Sequence, residues 1–285
     1  MTNYLVITAA RDEEAFLPGL IGSVTNQTVT PRRWILIDDG SSDATPLIAE
    51  QAAQRFPWIE LHRLPTMRPR SPGGESVITR FLSKEVWEQF DFVLRLDADI
   101  SFAPNFVELL LREFARDARL GIASALLLEL KAGRWREVPG PAFHTRGAIK
   151  MYTRACLEAI GGLDGGLGWD TLDEARAMMK GFKTRSFPHI RAFHHRPAGA
   201  ASGHIRSRLA MGRAAFRAGY SPLFMAVRAL RHCVVWPPIV AGVLMMAGYV
   251  EGYLRGDKPV AEDELIRFIR KQQMLRLQLK ESLWR

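Results

Sequence analysis

The segment FVLRLDADISF, Phe92 to Phe102, is an apolar run that ends by placing two carboxylates, Asp97 and Asp99, one residue apart. An ionised acid inside a sheet is costly without a partner. These acids therefore belong at a strand's end, facing something positive. Working outward, the same design recurs upstream. YLVITAA (4–10), RWILIDD (33–39) and IELHRL (59–64) read as strands, separated by expected helices over 15–25, 47–55 and 76–89. Ser42 or Asp43 is the expected N-cap of the second helix, with Pro46 in its first turn. Apolar runs alternating with helices predict a parallel sheet buried on both faces. In such sheets ligands bind outside the carboxyl ends of the strands. Ala9–Arg11, Asp38–Asp39 and Asp97–Asp99 should then line one rim.

Further along, the pattern predicts a helix over 104–117 and a strand over 122–128. A glycine-rich stretch then leads into DTLDEARAMMKG (170–181), a helix with acids in its first turn and glycine at its end. Asp170 falls at or just before that helix start. The chain has 285 residues, 47% of them hydrophobic, and two cysteines outside any CxxC. This describes a globular protein with an ample core in a reducing compartment. Acids at Asp12–Glu14 precede any long apolar run, so no secretory signal is expected and the cytoplasm is the expected location. Charge is unevenly placed. Residues 1–184 hold 22 Lys and Arg against 24 acids, whereas residues 185–285 hold 17 against 6. Between Arg185 and Val250 there is no acid, only nine Arg and five His. Such a stretch wants anionic company: phosphate, nucleic acid or an anionic membrane.

Two carboxylates in D-x-D spacing suit a hard divalent ion, Mg²⁺ or Mn²⁺. In IDDGSSDAT, Asp39 is placed to bond a base or ribose, and the glycine lets the backbone approach closely. RAFHHRP offers His194 and His195; on an extended segment their rings point to opposite sides, so at most one should bind metal.

Four ordered segments, ITAARDEEAFLPGLIGSVTNQT, WILIDDGSSDAT, RLDADISF and GGLDGGLGWDTLDEARAMMKGFKT, together resemble the family 2 glycosyltransferases with the α/β fold called GT-A. The resemblance spans about residues 3–195 and implies an inverting transferase that uses a nucleotide-diphosphate sugar. It implies that Ala9, Arg11, Glu13, Asp38, Asp39 and Asp97 meet the nucleotide. It makes Asp99 the metal ligand, joined by His194 or His195, and Asp170 the general base. Two positions depart from the family: Trp169 stands where the first acid of an "ED" pair is usual, and Asp12-Glu13 replaces "NE". Asp173 and Glu174, one turn on, are the rival bases. The implied organisation is a GT-A domain over 1–200, with a nucleotide-binding half (1–102) and an acceptor half (103–200). A basic, partly apolar helical extension occupies 201–285.

Within that extension, residues 233–250 are uncharged for 18 positions, and Pro237-Pro238 interrupt a straight helix. Three readings stand: a contact with an anionic membrane surface, a core or oligomer helix, and a span. The expected acceptor is a saccharide or a lipid-linked glycan, with no nucleic-acid partner and the inner membrane face as the site of any peripheral contact. Lacking several spans and a Q-x-x-R-W signature, the chain is expected to transfer single sugars. The competing readings are a nucleotidyltransferase, disfavoured by the acidic, glycine-free AARDEEAF, and a non-enzymatic basic module, which leaves the aspartates without a purpose.

Overall fold

The structure is a computed structural model describing residues 2–65, 75–131, 133–196, 203–234 and 238–284. Most of the loop expected at 65–75, and Pro237, lie outside the described residues. In chain order the elements are β1 (Tyr4–Ala10), α1 (Leu17–Thr25), β2 (Arg33–Asp38), α2 (Thr45–Arg55), β3 (Ile59–Arg63), α3 (Glu75–Phe81), α4 (Lys84–Trp87), β4 (Phe92–Leu96), β5 (Ile100–Phe102), α5 (Phe106–Arg116), β6 (Leu120–Lys131), β7 (Arg134–Glu137), β8 (Ile149–Thr153), α6 (Arg154–Ile160), α7 (Trp169–Met179), β9 (Lys183–His194), α8 (His204–Arg217), α9 (Pro222–His232), α10 (Val240–Leu254) and α11 (Asp263–Leu277). They form two units, Met1–Gly166 with Lys180–Pro197, and Leu167–Met179 with Ala198–Arg285. Helix α7, which lies within the first 200 residues, thus groups with the C-terminal helices.

The first unit is built on one sheet of order β3-β2-β1-β4-β8-β6-β9-β5, with β7 on β6. The first four strands are mutually parallel, as the alternation predicts. Beyond β4 the sheet is mixed: β8 runs antiparallel to β4 and β6, β9 parallel to β6, and β5 antiparallel to β9. The central strands β1 and β2 are almost wholly buried. Between them Trp34 Nε1 donates to Thr8 Oγ1 at 3.1 Å, a buried polar contact satisfied internally.

Two local expectations change. The single helix expected over 76–89 is two pieces, α3 and α4, because Ser83 takes an extended conformation (φ −70°, ψ 168°) at the start of the second. Helix α2 begins at Thr45 after Ala44, without a side-chain cap from Ser42 or Asp43. Asp43 instead accepts from the backbone N–H groups of Thr45 (2.9 Å) and Glu14 (3.1 Å). Glu14 and Asp12 return bonds to Ala44 and Ser42. These exchanges tie the loop after β1 to the loop after β2, which fixes two parts of the rim against each other.

In the second unit α8 and α10 lie backbone to backbone. A methyl added at Gly212 would run into the Met245 carbonyl oxygen, and one at Gly248 into that of Leu209. Among the described residues no helix is long and apolar enough to cross a membrane.

Candidate active site

Parallel pairing of β2, β1 and β4 brings their carboxyl ends to one rim, where the structure places Ala9, Arg11 and Glu13, then Asp38 and Asp39, then Asp97 and Asp99. Asp38 is buried and accepts from the Ser41 N–H at 3.0 Å, which tightens the turn around Gly40 (φ +74°). Asp39 is half-buried, its backbone N–H bonded to the Ala10 carbonyl at 2.8 Å. Glu13 is buried, with its N–H on Thr45 Oγ1 at 2.7 Å.

The His-His-Arg segment arrives from the far side of the sheet. Antiparallel pairing of β5 with β9 sets Ile100 opposite His194, and the His195 N–H donates to the Asp99 carbonyl at 3.0 Å. Asp97, Asp99 and His194 each then offer a ligand atom, all within 4.8 Å of one another. His194 Nε2 lies 3.2 Å from Asp99 Oδ1. His195 is turned away from this cluster. Its Nε2 lies 2.7 Å from Ser101 Oγ, and its ring packs between Phe16 and the edge of Trp135. The alternation expected of an extended segment is what separates the two rings.

Charges in the cluster are balanced by neighbours. Arg95 pairs with Asp97 at 3.0 Å, and Arg196 bridges Asp99 (3.2 Å) and Glu13 while lying over the Phe16 ring. Burial pushes the Asp99 carboxyl up, but His194 and Arg196 more than offset this and hold it below its ordinary value. Burial likewise lowers the His194 imidazole, yet Asp99, Asp97 and Glu129 leave it raised overall. Burial keeps Glu13 above its ordinary value despite Arg196. Two oxygens and one imidazole nitrogen make a donor set that suits Mn²⁺ and accepts Mg²⁺. The set also leaves His194 Nδ1 buried without a hydrogen-bond partner, beside Glu129 Oε1 at 3.9 Å.

Asp170 belongs to the second unit, where it is the second residue of α7. It is half-buried, whereas Asp173 and Glu174 are 2% and 1% exposed.

Residues 5–139 match the sequence profile of the family described as Glycosyl transferase family 2. Those residues carry a family 2 glycosyltransferase domain. No curated protein matches the chain significantly. Among solved structures, a mannosyltransferase from Pyrobaculum calidifontis, in complex with GDP-mannose and Mn²⁺, is 16% identical. It aligns with TM-score 0.57 over 98% of this chain and 88% of its own. Residues 1–349 of TarS from S. aureus are 15% identical, with TM-score 0.55 over 90% and 72%. The same fragment with UDP-GlcNAc gives TM-score 0.54 over 90% and 74%. At these identities the likeness is one of fold, and that fold is GT-A.

Around the glycosyltransferase's acid cluster, sequence reading overlooked Glu129, Arg95 and Trp135. Glu129 could have been found. It interrupts the apolar face of LLLELK in β6, is 5% exposed, and pairs in register with His194. Arg95, 5% exposed within β4, is likewise a cation on a strand that otherwise reads as core.

Proposed function

We propose that this glycosyltransferase moves a sugar from a nucleotide-diphosphate donor to an acceptor hydroxyl with inversion at the anomeric carbon. The observation that carries the reading is the Asp97–Asp99–His194 cluster at the carboxyl rim of the parallel strands of a family 2 domain. Asp99 and His194 would hold Mg²⁺ or Mn²⁺, with Asp97 in reach of the same ion or of the donor ribose. A bound ion supplies positive charge where the nucleotide-diphosphate leaving group becomes anionic. Asp39 accepts from the base or ribose. Ala9, Arg11, Glu13 and Asp38 shape the nucleotide's seat, which the 12–14 to 41–44 hydrogen bonds keep rigid.

Arg196 adds a fixed positive charge beside Asp99 that can turn to the diphosphate. Asp170 takes the proton of the attacking hydroxyl. Its partial exposure supports it over Asp173 and Glu174, which are sealed from solvent. The acceptor is a saccharide or lipid-linked glycan, met at the inner face of a membrane. Complexes of relatives with GDP-mannose and with UDP-GlcNAc support a sugar nucleotide as donor class.

The reading is tested by thermal shift with Mn²⁺ and UDP-, GDP- or dTDP-sugars on the wild type and Asp99→Ala. One nucleotide should stabilise the wild type only when Mn²⁺ is present, and should not stabilise Asp99→Ala. Indifference of the wild type to every donor would overturn it.

A further inference from the structure

The second unit contains a group of cations without carboxylate partners. Arg208 on α8 points Nη1 at His232 Nδ1 on α9, 3.3 Å away. Arg228, one turn earlier on α9, lies over the ring of buried Tyr220 at 5.7 Å. Arg276 on α11 is half-buried within the fields of Arg231 and Arg228, which together with burial depress its pKa. Nearby arginines are neutralised: Arg213 and Arg255 pair with Glu251, and Arg176 with Glu262. Among the described residues Arg208, Arg228, Arg231 and Arg276 form no ion pair. Like charges held together, three of them at half burial, oppose folding, and an anion would relieve them.

The same end of α9 also exposes apolar side chains. Leu230, Val234, Ile239 and Val243 are 71%, 86%, 67% and 58% exposed. They share one place because α10 starts against the end of α9: Ile239 N–H donates to the Cys233 carbonyl at 2.8 Å, and Gly242 packs on Ala229 and Cys233. Cations and exposed apolar side chains at the end of one helix, in a stretch without acids from Arg185 to Val250, match a ligand with a phosphoryl head and a hydrocarbon body.

We propose that the C-terminal end of α9 is a lipid-phosphate site, in which Arg208, Arg228, Arg231 and Arg276 take the phosphoryl group and the ledge takes the adjoining hydrocarbon. Tyr220 connects this site to α7, because Arg228 lies over its ring and the Thr171 side chain is among its neighbours. Thr171 follows Asp170 directly. On the transferase reading above, on which this last step rests, the phosphoryl group belongs to a lipid-borne acceptor.

The test uses the full chain without any sugar donor, so that it fails or succeeds independently of glycosyl transfer. Co-sedimentation is measured with vesicles of phosphatidylcholine alone and with phosphatidic acid added. Sodium phosphate and a single-stranded oligonucleotide serve as competitors. The wild type should bind only the vesicles containing phosphatidic acid. Arg228→Gln/Arg276→Gln should weaken that binding by about fivefold per charge removed. Val243→Ser should weaken vesicle binding while leaving stabilisation by sodium phosphate intact. Should the double variant fail to fold, Arg231→Gln at an exposed position carries the same expectation. Equal binding to neutral vesicles, unchanged binding by a folded Arg variant, or preference for the oligonucleotide would overturn the proposal. Stabilisation by sodium phosphate with no vesicle binding would overturn it too, leaving a site for free phosphate.

Discussion

His194 is buried and His232 half-buried, yet their surroundings push them in opposite directions. His194, at the sheet rim of the first unit, faces Asp99, Asp97 and Glu129, and its pKa is raised even against burial. His232, on α9 of the second unit, is lowered by burial and then by Arg228 and Arg208. One region concentrates carboxylates and recruits a few cations to steady them. The other concentrates arginines and, among the described residues, supplies these four with no carboxylate partner. Each is electrostatically incomplete in its own sense: the first suits a divalent cation, the second an anion.

The largest test of this contrast is at Asp170, an acid on α7 in the second unit. Asp170→Asn should cut kcat by about 10²–10⁴ while leaving Mn²⁺-dependent donor binding unchanged. Steady-state kinetics beside donor titration will show it, and retained turnover would move the base role to Asp173 or Glu174.

Next in size is Glu129, which faces the unpartnered Nδ1 of His194. Glu129→Gln should weaken Mn²⁺ binding by about 10–100-fold, as loss of a ligand's supporting carboxylate generally does, read by calorimetric titration. Unchanged affinity would remove Glu129 from the cation site.

Gly248→Ala probes the α8–α10 packing that carries the arginines. A methyl in contact with the Leu209 backbone should cost about 1–3 kcal/mol, measured by chemical denaturation, with the acid rim unaffected.

The smallest effect is the pH dependence of stability with metal chelated. Because His194 is raised in the fold, its contribution is fully present below the ordinary histidine pKa of about 6.5 and is lost as pH rises through its folded value. Because His232 is lowered in the fold, stability is lost as pH falls from about 6.5 towards its folded value. Denaturation curves of His194→Gln and His232→Gln should therefore differ from the wild type with opposite slopes between pH 5.5 and 7.5, a range spanning about one unit either side of the ordinary value. Parallel slopes would break the contrast.

How far these features could be read in advance depended on the distance over which they are encoded. The strand ends at Asp38–Asp39 and Asp97–Asp99 follow from local alternation of apolar runs and turns, so the rim was readable from the chain alone. The break between α3 and α4 was not, because Ser83 is tolerated in a helix and its extended backbone is chosen by the packing around it. The caps of α2 were misread for a related reason. Asp43 is used to join two loops, and a short window cannot show that its second oxygen reaches Glu14.

By itself the sequence determined that carboxylates would stand at the ends of several buried strands and that the last hundred residues would be short of acid. Both follow from the energetic penalty on unpaired charge in a core, which acts within a few residues. Only the tertiary structure decided which groups meet. Pairing of β5 with β9 carries His194 to Asp99 across 95 positions, and pairing of β6 with β9 sets Glu129 beside it. It also turned His195 away to Ser101 and left four arginines without carboxylate partners among the described residues. Such meetings depend on strand register and helix packing, and these are settled by the whole core at once.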